Sequence, residues 1–134
     1  MIVDSSAVIA ILRGEPEADS FAELLVVTPS RMSAANWLEA SMVADGGGSP
    51  TAISDFDELI RQLGITVIPV TAEHARVARA AFRRYGRGSG SPARLNFGDC
   101  IAYATAITEG LPLLFKGNDF GHTDVPAAIQ PKVT

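Results

Sequence analysis

Four short strand-like runs, three of them apolar, alternate with longer stretches whose apolar residues recur at helical spacing, and this alternation limits the possible folds more than any other feature. The runs are Met1-Ile-Val-Asp4, Ser30 to Met32, Thr66-Val-Ile68 and Leu113-Leu-Phe115. Strands joined through helices pair in parallel, and the helices cover both faces of the sheet they make. The expected class is α/β, a three-layer α/β/α sandwich around a central, mainly parallel sheet of four to five strands. At 134 residues the expectation is a single domain spanning 1–134.

Helix boundaries are marked by their breakers. Ser5 to Leu12 reads as a helix stopped near Gly14 and Pro16, and Glu17 to Val27 as a second one broken by Pro29. Ser33 has the character of an N-cap for a helix over Ala34–Asp45, with Trp37, Leu38 and Met42 on its apolar face. Gly46 to Pro50 predicts a tip between two helices, the second covering Ile53 to Leu63 and closed by Gly64. A helix over Ala72–Tyr85 follows, then the loop Gly86 to Pro92. Asn96 next caps a helix from Phe97 to about Thr108, which Gly110 and Pro112 end. Lys116 to Phe120 is the turn that leaves the last strand.

Composition excludes several functions. The single cysteine, Cys100, rules out an intrachain disulfide and a Cys-rich zinc site, which favours a reducing, cytoplasmic setting. No apolar run approaches the roughly 20 residues of a membrane span. Hydrophobic residues make up 47% and the mean hydropathy is +0.20, so some apolar surface is expected to await a partner.

Net charge is −4, the wrong sign for nucleic-acid binding by bulk electrostatics, so such a function would rest on local charge. Six of the eleven basic residues lie between Arg76 and Arg94, a stretch without a single acid. It reads either as a solvated helix face or as a track for a phosphate backbone, with Arg83, Arg84 and Arg87 at its centre.

Ligands of open α/β sheets bind beyond the carboxyl ends of the strands, and Asp4 and Asp119 stand just past the first and last runs. Asp99 at a helix start and Glu39 in the helix after the second strand are placed to face the same crevice. Clustered carboxylates suit Mg²⁺, a hard cation that takes oxygen ligands and bridges to substrate phosphates. Each acid also has a local reading. Asp4 can cap the first helix, Asp99 can answer a helix dipole, Glu39 is at home on a helix surface, and Asp119 fits a turn. Spacing alone does not separate these readings. Ser5 and Ser6 lie in no nucleophile elbow, and His74 and His122 read as a solvent-side helix residue and a loop residue.

The order of four local motifs goes further: Ile-Val-Asp4-Ser-Ser-Ala, Ser33-Ala-Ala-Asn-Trp-Leu-Glu39-Ala, Leu95-Asn-Phe-Gly-Asp99-Cys-Ile-Ala-Tyr-Ala and Leu113-Leu-Phe-Lys-Gly-Asn-Asp119-Phe. Together they resemble the PIN domain, specifically the VapC toxins of bacterial VapBC toxin-antitoxin pairs, over nearly the whole chain. The resemblance implies a PIN-like sandwich and a metal-dependent endoribonuclease. In it Asp4 and Asp99 are the principal Mg²⁺ ligands, with Mn²⁺ as a substitute. Glu39 binds through water or orients the attacking water, and Asp119 is an outer carboxylate. Because Lys116-Gly-Asn separates Asp119 from the strand, Asn118 or Asp124 is an alternative for the fourth place. Lys116 is a candidate phosphate contact. The implied partners are a cognate VapB-like antitoxin, RNA and a second copy of the chain, with the faces of the first two helices and of the Ile53 to Leu63 helix as docking candidates. Two rival readings stay open: a phosphoryl-transfer domain built on Asp4 and Lys116, and a catalytically inactive PIN-like binding module.

Overall fold

The computed structural model describes residues 1–47 and 50–130, with the backbone course alone for 50–53. Gly48 and Ser49, within the expected tip, and the Ile53 side chain lie outside the described residues. The strands are β1 (Ile2–Val3), β2 (Ser30–Ser33), β3 (Ile65–Ile68) and β4 (Leu113–Leu114). The helices are α1 (Ser5–Leu12), α2 (Ala18–Val27), α3 (Ala34–Asp45), α4 (Pro50–Gln62), α5 (Ala72–Tyr85) and α6 (Phe97–Glu109). A short 3₁₀ turn, Phe120–His122, follows β4 where the sequence suggests only a turn.

The sheet has the order β3-β2-β1-β4 and every pairing is parallel. Because side chains alternate across a strand, neighbouring residues of β1 enter different cores. Ile2 and Leu113 face a core built with α5 and α6, including Ala78, Ala81, Ile101 and Tyr103. Val3 and Leu114 face the opposite core with Val8, Phe21, Leu25, Met32 and Phe56. Both faces of β1 and β4 are therefore buried, which explains why these two read as continuous apolar runs, whereas Arg31 of β2 is exposed.

The chain runs β1, β2, β3 toward one edge, then crosses over to place β4 on the other side of β1. The crevice beyond the carboxyl ends of β1 and β4 lies at this switch in direction, where doubly wound sheets bind ligands. Gly110 ends α6 in the left-handed conformation at φ +67°, so the chain can turn directly into β4.

Two expectations are corrected. In α3 the buried positions are Asn36, Ala40, Ser41 and Ala44, whereas Leu38 and Met42 are 52% and 64% exposed. Small residues let α3 approach its neighbours closely and Leu38 and Met42 are left on the outer face, whereas Trp37 is half-buried against the core as expected, its ring 6.1 Å from that of Phe56. His74 is buried at 2% exposure rather than facing solvent. Its Nδ1 accepts the Thr71 N–H in a capping box at the start of α5, and its Nε2 lies 3.5 Å from Glu109 Oε1 at the end of α6.

Candidate active site

Asp4 follows β1 directly and is the N-cap of α1. Its Oδ2 accepts hydrogen bonds from the Ser6 N–H at 3.0 Å and the Ser6 hydroxyl at 2.5 Å. The Ser6 hydroxyl oxygen in turn accepts the Lys116 N–H at 3.0 Å, tying the segment after β4 to the same carboxylate. Asp4 Oδ1 is buried and has no hydrogen-bond partner. A buried carboxylate oxygen left without a donor is costly unless a cation or proton answers it.

Burial is the main reason the Asp4 carboxyl is pushed up to about 7. The two Ser6 hydrogen bonds pull the other way, and the like charges of Asp99 and Glu39 raise it further. Asp99 is also held above the ordinary aspartate range, first by burial, with Asp119 and Glu39 adding like charge against the Asn96 N–H bond and Arg87. Glu39 thus bears on both Asp4 and Asp99, and Asp119 bears on Asp99.

The elements that carry these acids are tied to one another. Asp99 Oδ2 accepts the Asn96 N–H at 3.0 Å, while the Asn96 side chain accepts the Asp99 N–H at 2.9 Å, a capping box that opens α6. Glu39 Oε1 accepts the Ser5 hydroxyl at 2.5 Å, joining α3 to the start of α1. Asn36 is fully buried and donates from Nδ2 to the Gly98 carbonyl at 3.0 Å, joining α3 to the first turn of α6. Ser5, Ser6, Asn36 and Gly98 do not stand out in the sequence reading as parts of the site, although each lies inside a motif quoted there.

Capping and chemistry do not compete for these acids. Asp4 holds α1 with one oxygen and keeps the other free of donors, and Asp99 opens α6 with a single oxygen. Among the described residues no three acid, histidine or cysteine side chains form a ready-made metal-ligand group. Asp4 and Asp99 would suit a hard divalent cation that is held by one or two carboxylates and keeps several of its waters.

The other candidates are distributed as follows. Asp119 is exposed and starts the 3₁₀ turn without a side-chain cap bond. Asp124 accepts the Tyr103 hydroxyl at 2.5 Å and lies 3.8 Å from Arg84, which also sits 4.7 Å over the Tyr85 ring. The Lys116 ammonium pairs with Glu15 and Glu17. Arg83 and Arg87 are exposed, and the charge of Arg87 lowers the Asp99 carboxyl.

Comparison with known proteins agrees with this architecture. The family model described as PIN domain matches residues 1–126. Ribonuclease VapC28 of Mycobacterium tuberculosis is 52% identical over 131 residues, covering 97% of this chain and 98% of that protein. The crystal structure of Mycobacterium tuberculosis VapC20, described as a sarcin-ricin loop cleaving toxin, superposes with a TM-score of 0.74 at 16% identity, covering 97% of this chain and 98% of that one. A toxin-antitoxin complex from Klebsiella pneumoniae superposes with a TM-score of 0.67 at 21% identity, covering 89% and 88%. With a family model spanning nearly the whole length and a relative sharing half its residues, the chain belongs to the PIN domain family, among the VapC ribonucleases.

Proposed function

We propose that the chain is a divalent-metal-dependent endoribonuclease and the toxin of a toxin-antitoxin pair, acting on RNA in the cytoplasm with Mg²⁺ as its cofactor, for which Mn²⁺ can substitute. The observation that carries this reading is Asp4 Oδ1, a buried carboxylate oxygen with no donor, in the field of Glu39 and Asp99. Asp4 and Asp99 would hold the cation, Glu39 would bind through water or orient the attacking water, and Asp119 would serve from the outer edge. A bound divalent cation supplies charge stabilisation at the scissile phosphate and makes water a stronger nucleophile.

The chain's own residues supply position. Ser6 turns Asp4 so that Oδ2 is occupied and Oδ1 is left for the ligand. Ser5 orients Glu39. Water adds to phosphorus and the bond to the leaving ribose oxygen breaks, so the products are a phosphate monoester and a hydroxyl. Arg83 and Arg87 would lie along the RNA backbone, where phosphate contacts orient the substrate. Pairing of Lys116 with Glu15 and Glu17 speaks against its use in phosphoryl transfer from Asp4.

Apolar side chains left in the open support protein partners: Val26 and Val27 on α2, Leu38 and Met42 on α3, Phe82 on α5 and Phe97 on α6. We assign these surfaces to a VapB-like antitoxin and to a second copy of the chain. The test is RNA cleavage by the purified protein with Mg²⁺ and after chelation, alongside Asp99→Asn. Cleavage that requires metal and is lost in Asp99→Asn is expected. Undiminished cleavage by Asp99→Asn would favour a binding module, and phosphorylation of Asp4 by an acyl phosphate without RNA cleavage would favour the phosphoryl-transfer reading.

A further inference from the structure

Gly98 occupies a helical position in the first turn of α6 that any residue could adopt, since it is absent from the glycines with left-handed backbone. Alanine is the better helix former there, so backbone geometry does not account for the glycine. Space does account for it. A Cβ on Gly98 would come within 2.7 Å of Glu39 Oε1 and closer still to Oε2, deep inside contact distance. The missing side chain is the seat of the Glu39 carboxylate, one residue before Asp99.

The seat is held rigidly from behind. Asn36, one helical turn before Glu39, donates to the Gly98 carbonyl at 3.0 Å. Its own Oδ1 accepts the Ser33 hydroxyl at 3.0 Å, and its N–H donates to Ser33 Oγ at 3.1 Å. Asn36 and Gly98 are both buried, so the α3–α6 separation is fixed by a satisfied polar contact that neither helix can slide along without leaving a buried group unpaired. Ser5 holds the Glu39 carboxylate from the opposite helix.

We propose that Gly98 is a positioning residue for the metal site, its absent side chain placing the Glu39 carboxylate beside Asp99, with Asn36 clamping the seat in place. This rests on the metal-dependent reading above. The group that an added methyl meets is the far end of a flexible side chain, so Gly98→Ala should displace the carboxylate and leave the fold standing.

The experiment is calorimetric titration of the full chain with Mn²⁺, together with melting of the metal-free protein. Gly98→Ala is expected to weaken Mn²⁺ binding about tenfold to a hundredfold, the range seen when groups supporting metal ligands are removed, with a melting temperature at or above wild type. In a Glu39→Ala background the same substitution should cause no further loss, because its effect passes through Glu39. Equal Mn²⁺ affinity in Gly98→Ala and wild type would overturn the proposal, as would an equal loss in the Glu39→Ala background. A clearly lowered melting temperature would also overturn it, since the added methyl would then collide with the fold and not with a movable carboxylate. If wild type itself fails to bind Mn²⁺, the metal-dependent reading falls and this proposal with it.

Discussion

The Ser5 hydroxyl donates to Glu39 Oε1 at 2.5 Å, so the first residue of α1 fixes a carboxylate carried by α3. Ser5→Ala removes that donor without changing the caps of either helix. Stability should fall by about 1 kcal/mol or less, as for a single partly exposed hydrogen bond. Single-turnover RNA cleavage should fall about tenfold, the cost of roughly 1.4 kcal/mol in a barrier when a group is left poorly oriented. Ser5→Thr, which keeps the hydroxyl, should cleave at close to the wild-type rate. If Ser5→Ala does too, the seat at Gly98 is sufficient to orient Glu39.

Asp4→Asn should separate activity from stability. The amide oxygen can still accept from Ser6, while the charge that burial opposes is gone. The metal-free variant should melt above wild type at pH 8 and cleave RNA at least a hundredfold more slowly. A variant that melts lower than wild type at that pH would show that the carboxylate is answered by something other than a cation.

Proton linkage gives the third prediction. The Asp4 carboxyl is near 7 in the fold against an ordinary 3.8, so between those values the folded state binds more protons than the unfolded one. For the metal-free protein the stabilising contribution of this group is present in full below about pH 3.8 and is lost as pH rises through about 7. Asp99, raised in the same direction, adds to the trend. Melting of the metal-free protein should therefore be higher at pH 6 than at pH 8, and Mn²⁺ affinity should move oppositely, weakening below about pH 7 with proton release on binding. Affinity that does not change between pH 6 and pH 8 would remove Asp4 from the ligand set.

The arginines are not equivalent. Arg84 lies over Tyr85 and near Asp124, whereas Arg83 and Arg87 are exposed and Arg87 reaches the field of Asp99. Neutralising Arg83 or Arg87 should each flatten the slope of log affinity against log salt for single-stranded RNA by about 0.7, the loss of one phosphate contact. Arg84→Ala should change it little and instead loosen the contact between α5 and the segment around Asp124. Filter binding over a range of salt with metal replaced by Ca²⁺ measures both.

Much of this architecture was legible in the sequence because its signals are local. Ser33 and Asn96 are side-chain caps found at the residues that sequence marks, and Gly110 turns the chain where a left-handed residue was needed. The acids at strand ends were legible from position, since Asp4 could be placed against β1 without knowing anything across the sheet. What escaped is relational. The apolar face of α3 was misjudged because Leu38 and Met42 look like core until Ala40 and Ala44 are seen to permit close approach. His74 was misplaced because its burial depends on Thr71 beside it and Glu109 on another helix. Gly98 gave no sign at all, because its role is to leave room for a side chain fifty-nine positions earlier.

The pairing of β1 with β4 has a consequence for how the molecule comes into being. Ile2 aligns with Leu113, so the central strand acquires one of its two neighbours only when nearly all of the described chain is available. Such long-range parallel pairings close late and slowly. During synthesis Asp4 emerges well before the α6 turn that carries Asp99 and the Lys116 N–H that holds Ser6 against it. A nascent chain would thus be harmless to the RNA around it until the segment through Lys116 has emerged and paired.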